Sequence, residues 1–342
     1  MSRLHQLLLI ALLTAVFGWP AAARATGFGA SVDGDFNYYL LGSWSWSQLQ
    51  QSLHNLRATG ATLARTGSDW AGTQPRRPRR GRRRYDWKHD DVIVRGLAQA
   101  HLRWEPSLDY TPQWAQQHIR PARSGSLSSP LPPARFSVYG AYVAAFAHRY
   151  GAVGTFWRQH PHLPRLPVTT FEIWNEPDCK WTWGPGVDLE EYARLYTVAR
   201  QAIKRVDRHS VVLTGGLAFT RSSLPRLLHA FQGMPLDALA VHPYGVNARA
   251  TVAVARWAEH EMIVYGRGRV PLVVNEYGWN SVPKSWQAIP ERILASNIRQ
   301  AIVGLSRVPR VQQIIPFEWS DATWGLSGGA LAAGIARARH TE

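Results

Sequence analysis

Eight short apolar runs, rich in β-branched residues, recur along this chain, with helical patterns filling the gaps between them. The runs fall at 28–32, 61–65, 102–108, 169–174, 211–214, 239–241, 272–274 and 314–317. Near-continuous apolar runs of this length read as strands buried on both faces, as in a parallel sheet. Between the fourth and fifth runs, Asp188 reads as an N-cap with Glu191 three residues on, the spacing of a capping box. Tyr192, Leu195, Tyr196, Ala199 and Ile203 then fall on one helical face. Leu294, Ile298, Ala301, Ile302 and Leu305 make a second such face. Eight strands alternating with helices predict a (β/α)8 barrel, the TIM-barrel architecture, as one domain over residues 26–342. The irregular stretch 111–133, rich in Pro, Ser and Gln, is long enough for a functional loop over the barrel mouth. Residues 331–338 are a weak candidate for the eighth helix.

The first residues break this pattern. A basic start at Arg3, an apolar stretch at 7–17 and small residues at 21–25 form the three parts of an export signal. Residues 1–25 are therefore expected to be a signal peptide on a secreted or periplasmic protein. The apolar stretch is too short for an ordinary transmembrane helix, and an uncleaved anchor is the alternative. No second long apolar segment follows, so no membrane span is expected after cleavage.

Composition changes the picture in three places. Cys179 is the sole cysteine, which excludes an intrachain disulfide and a cysteine-built metal site. The formal net charge is +16, with seven arginines in 76–84: Arg76, Arg77, Arg79, Arg80, Arg82, Arg83 and Arg84. Such a run suits a solvated loop or contact with an anionic glycan. No aromatic residue interleaves it and no nucleic-acid motif accompanies it, so nucleic acid is not the expected partner. The sixteen tryptophans exceed what a core needs and offer flat faces for sugars.

The candidate chemistry lies at the ends of the fourth and seventh runs. Thr170-Phe171-Glu172-Ile173-Trp174-Asn175-Glu176 and Leu272-Val273-Val274-Asn275-Glu276 each close on an Asn-Glu pair, about 100 residues apart. Catalytic groups in a barrel sit at the carboxyl ends of strands. Strands four and seven of eight lie nearly opposite each other. Two facing carboxylates are the machinery of glycoside hydrolysis, one as proton donor and one as nucleophile or base. Glu172 would lie deeper, as a buried paired group, whereas Asp109, Glu318 and Asp321 are secondary candidates at the mouth. No metal-binding, dinucleotide or phosphate-loop motif is present, and no cofactor or metal is expected.

Trp174-Asn175-Glu176-Pro177 resembles the fourth-strand signature of the clan A glycoside hydrolases, and Val274-Asn275-Glu276-Tyr277-Gly278 resembles their seventh-strand motif. The resemblance implies a retaining mechanism with Glu176 as acid/base and Glu276 as nucleophile. It also assigns Asn175 to the sugar 2-hydroxyl. Within His242-Pro243-Tyr244, it gives Tyr244 to the nucleophile and His242 to Glu176 or a hydroxyl. Arg65 would support the nucleophile, and Trp319 would lie under the sugar at the cleavage point. Tyr110-Thr111-Pro112-Gln113-Trp114-Ala115 and the segment 81–87 are similar to family 39 and its endo-acting relatives. The nearby charge of Glu276 is expected to raise the pKa of Glu176. Two other readings remain: a carbohydrate-binding barrel without catalysis, and a basic surface protein that holds anionic glycans through the arginine run.

Overall fold

The computed structural model describes residues 27–79, 84–117, 128–129, 131–281 and 288–320. The predicted signal, Arg80, Arg82, Arg83, Asp321 and the candidate helix at 331–338 lie outside the described residues.

The barrel strands are β1 (Gly27–Ser31), β2 (Leu63–Asp69), β3 (Arg103–Asp109), β4 (Thr170–Ile173), β5 (Val211–Thr214), β6 (Leu239–Val241), β7 (Leu272–Val274) and β8 (Val311–Ile314). They pair in parallel in the order β5-β4-β3-β2-β1-β8-β7-β6. Parallel bridges Leu213–Ala238 and Leu217–Val241 bring β5 beside β6 and close the ring. The architecture is a (β/α)8 barrel, as the alternation predicts.

Helices cover the outside because each carries an apolar stripe. In Leu189–Val206 the residues predicted for one face, Tyr192, Leu195, Tyr196, Ala199 and Ile203, are all buried. Asp188 caps this helix by accepting the Glu191 N–H at 2.8 Å. The expected capping box is only half made, because the Glu191 carboxylate instead accepts from Gln117. A complete box does form at Trp46–Ala58, between Ser45 and Gln48. In Glu291–Leu305 the predicted stripe is again the buried one, with Ile302 at its edge.

The eighth strand is displaced from its predicted place. It runs over 311–314, with a register irregularity between Val311 and Gln313, rather than over 314–317. Pro316 has no N–H for a ladder, and Gln312 and Gln313 hide the strand in the sequence. Beyond it the chain stays tied to its neighbours, through Ile315 N–H to Val274 O and Trp319 N–H to Ser31 O, each 2.8 Å. The start and end of the irregular stretch 111–133 do approach each other, since Thr111–Pro112 pairs antiparallel with Ser128–Ser129.

Candidate active site

The site begins inside the barrel. Arg65 on β2 and Glu172 on β4 point inward and are buried. Arg65 Nε and Nη2 donate to the two Glu172 oxygens at 2.7 and 3.2 Å, a bidentate pair. Gly216 N–H also donates to Glu172, at 3.0 Å. Burial opposes the Arg65 charge, but the Glu172 and Glu276 carboxylates outweigh it and hold the guanidinium protonated. With one edge fixed, Arg65 reaches upward: Nη1 to Glu276 Oε2 at 3.3 Å and Nη2 to Asn175 Oδ1 at 2.8 Å.

Above this layer stand Glu176 and Glu276. One carboxylate oxygen of each and one ring nitrogen of His242 all lie within 4.8 Å of one another. His242 Nδ1 is 3.0 Å from Glu176 Oε1, and its Nε2 is 3.8 Å from Glu276 Oε2. Tyr244 donates its hydroxyl to Glu276 Oε1 at 2.7 Å. Desolvation of the hydroxyl itself, then the Glu276 charge, keep it protonated, as a donor should be, although the residue as a whole is 43% exposed. Glu276 therefore has two fixed donors, and Glu176 has the imidazole.

Local backbone explains this placement. Trp174 and Glu176 have φ of 68° and 47°, left-handed values that bulky residues adopt at a cost. Glu176 N–H to Gly216 O at 3.1 Å holds the turn. The Tyr192 hydroxyl joins β4 to β5, donating to Ile173 O at 2.7 Å and accepting from Gly215 N–H at 2.6 Å. Gly215 and Gly216 are required here. A Cβ on Gly215 would meet Trp174 O at 2.6 Å, and one on Gly216 would meet His242 Nε2 at 2.1 Å. The Gly-Gly pair directly follows the fifth run in the sequence, but only the close approach of two other strands gives it meaning.

One expectation is corrected. Glu176 was to be raised by its negative neighbour. Burial does push it up, but the hydrogen bond and charge of His242, with Arg65, outweigh burial, and the net shift is downward. His242 moves the other way: burial lowers it, and Glu276 and Glu176 more than restore it. The imidazole and the Glu176 carboxyl thus face each other across one hydrogen bond and are placed to share a proton.

The site opens into a cleft of about 370 Å³ bordered by Asp33, Asn37, Asp69, Asp109, Tyr110 and Glu276, among others. Asp33, not singled out in the sequence, accepts from Ser31, Thr66 and Gly67, which ties the end of β1 to the middle of β2. Burial raises Asp69 to about 6 and lifts Asp109 well above the usual carboxylate range. Glu318 is buried, accepts from Gly34 N–H and is raised to about 9 by burial. Trp319 is buried near the mouth, its indole N–H shared between Ser52 O and Oγ at 3.2 and 3.1 Å. Cys179 is buried in the turn after Glu176. Arg76, Arg77, Arg79 and Arg84 are exposed. A larger hollow, about 810 Å³, lies between the ends of the helices Thr220–Ala230 and Ala248–Val264, lined by His229, Met234, Tyr265 and Arg267. None of the paired carboxylates borders it. Glu176, His242 and Glu276 are the one group of three among the described residues with donors suited to a metal ion. Arg65 competes there for Glu276.

No protein-family model matches the chain. A 113-residue segment, 32% of the chain and 20% of the relative, is 32% identical to a β-xylosidase of Geobacillus stearothermophilus. Among solved structures, a GH39 β-xylosidase from Caulobacter crescentus superposes with a TM-score of 0.66 at 19% identity, over 91% of this chain and 67% of that one. A glucosidase from Croceicoccus marinus gives 0.68 at 16% identity, over 95% and 69%. At these identities the structural likeness carries the fold, and the matched sequence spans only a fifth of the curated relative. The chain is thus similar to the family 39 β-xylosidases and other clan A glycoside hydrolases, and its relatives are glycoside hydrolases.

Proposed function

We propose that this protein is an exported, retaining glycoside hydrolase working by double displacement. The observation that carries the reading is the facing pair itself. Glu176 and Glu276 come from opposite strands, with Arg65 and Tyr244 on Glu276 and His242 on Glu176. Carboxyl groups about 5–5.5 Å apart belong to retaining enzymes, whereas inverting ones need about 6.5–9.5 Å. The nearest oxygens of the pair lie within 4.8 Å of each other, which is compatible with the shorter separation.

Glu276 attacks the anomeric carbon as an anion, oriented by the Tyr244 hydroxyl and Arg65. The proton shared by His242 and Glu176 passes through Glu176 to the leaving oxygen. Glu276 is then esterified and its charge is gone. Glu176, now a carboxylate, takes a proton from water as that water attacks the ester. Asn175, held by Arg65, is set to meet the 2-hydroxyl, a contact that strengthens in the transition state. The exposed arginines are available to anionic glycans.

The test is a screen of aryl β-glycosides, beginning with β-xylosides, alongside Glu276→Gln. Turnover should appear in at least one series and fall by about 10³-fold or more in the variant. A folded protein that binds oligosaccharides but cleaves none would instead be a carbohydrate-binding barrel.

A further inference from the structure

The two sides of the barrel mouth differ in character. The 370 Å³ cleft is bordered mainly by polar groups on β2, on β3 and just after β1, with Phe36, Tyr110 and Phe317 among them, and it reaches Asn175 and Glu276. The loops after β4, β5 and β6 instead expose large apolar side chains: Trp181 (75% exposed), Phe219 (57%), Tyr244 and Val246. A tryptophan so exposed forgoes most of the burial that ordinarily accounts for the residue. Lys180 Nζ lies 4.6 Å from its ring centroid, and no aromatic ring among the described residues stacks on it.

These side chains are tied to the proposed acid. Cys179 N–H donates to Glu176 O at 3.0 Å, and the Thr182 hydroxyl returns to the same carbonyl. The Trp174 indole fixes Thr182 O at 2.7 Å. Trp181 therefore stands on a closed turn that starts at Glu176. Asp178, in the same turn and buried, accepts from Ala218 and Phe219 N–H at 2.9 and 2.8 Å. One carboxylate thus fastens the loop bearing Phe219 to the loop bearing Trp181.

We infer that Trp181 and Phe219 form the stacking surface for the leaving-group side of the substrate, whose chemical class is a chain of pyranose rings continuing past the scissile bond. This rests on the glycosidase reading. The proton donor must face the departing oxygen, so the departing sugar lies on the side of the Glu176 loop. A pyranose offers an apolar face of C–H groups, the natural partner of an exposed ring. Asp178 is a positioning residue for this surface.

The test compares β-glycosyl fluorides, whose leaving atom has no ring to stack, with trisaccharides. β-Xylosyl fluoride and xylotriose are run in parallel with the gluco and manno counterparts. For Trp181→Ala, the ratio of kcat/KM on the trisaccharide to that on the fluoride should fall at least ten-fold. Phe219→Ala should lower it several-fold, and Trp181→Tyr, which keeps a ring, should restore most of the loss. An unchanged ratio in Trp181→Ala overturns the inference, as does an equal fall on both substrates, which would mean that the ring only shapes the acid loop. A change of oligomeric state with the ratio unchanged would assign the patch to protein contact. Wild-type turnover of the fluorides is the control: none in any series would remove the glycosidase reading itself, and this inference with it.

Discussion

Glu172 and Glu176 lie four residues apart on one strand end, yet they occupy different worlds. Glu172 is fully buried and accepts three hydrogen bonds, two from Arg65 and one from Gly216. Glu176 is 22% exposed, and among the described residues its carboxylate has a single partner, His242. Glu172 is saturated and Glu176 is not. A saturated carboxylate has nothing left to offer a substrate, and its role is to hold Arg65 still. A carboxylate with open valences beside a titratable ring can move protons. Residue type does not separate the two; partner count and depth do.

Substituting each in turn should widen the contrast. Glu172→Gln breaks a buried charge pair, and losing one partner of such a pair typically costs about 3–5 kcal/mol. Urea unfolding should report a loss of that order, with activity reduced through a displaced Arg65. Glu176→Gln should cost under about 1 kcal/mol of stability, as for a polar group near the surface, while removing hydrolysis of substrates with poor leaving groups. Equal stability losses would erase the distinction.

The next effect is on pH. The His242–Glu176 pair must carry one proton to protonate the leaving group, and that proton is lost as pH rises through the upper value of the pair. His242 is shifted upward by its carboxylate neighbours, so the alkaline limb of kcat/KM should lie above the ordinary imidazole value of about 6.5. In His242→Gln a lone carboxyl supplies the proton, and the limb should move down by about one unit or more. An unmoved limb in a pH–rate series would exclude His242 from the shared proton.

Much of this was legible in the sequence, because strand-end carboxylates after apolar runs and the order Arg65, Asn175, Glu176, His242, Tyr244, Glu276 survive without any structure. The direction of the Glu176 shift was not legible. It depends on a 3.0 Å contact between residues 66 positions apart, and no spacing encodes that. The eighth strand was misplaced for a related reason, since its glutamines break the apolar run while Pro316 and Phe317 beyond it imitate one. Gly215, Gly216 and Asp178 act through close approaches and backbone contacts that only the closed barrel creates.

A smaller effect sharpens the same contrast deeper in the barrel. Glu105 on β3 is buried; the Gln313 side chain approaches it, but neither oxygen has a hydrogen bond of ordinary geometry among the described residues. Burial, with the Glu172 charge, raises it to about 8. It is neutral in the folded protein and ionised in the unfolded chain across the interval between its normal value and about 8. Stability is therefore full below about 4.5 and declines as pH rises to about 8. Glu105→Gln should remove this decline, gaining about 1–3 kcal/mol at pH 8 and little at pH 4, as read by denaturant titration. Glu318, raised to about 9, leaves a residual slope in both proteins.

The division of labour between Glu176 and Glu276 is tested most directly by azide rescue. Glu176→Ala retains the nucleophile but lacks the group that activates water, so the glycosyl-enzyme should accumulate from an activated aryl β-glycoside. Azide needs no base. It should restore turnover and give a glycosyl azide of retained configuration, read by NMR, whereas Glu276→Ala should give no retained product. A glycosyl azide of inverted configuration from Glu176→Ala, or a retained one from Glu276→Ala, would contradict the assignment of acid/base and nucleophile.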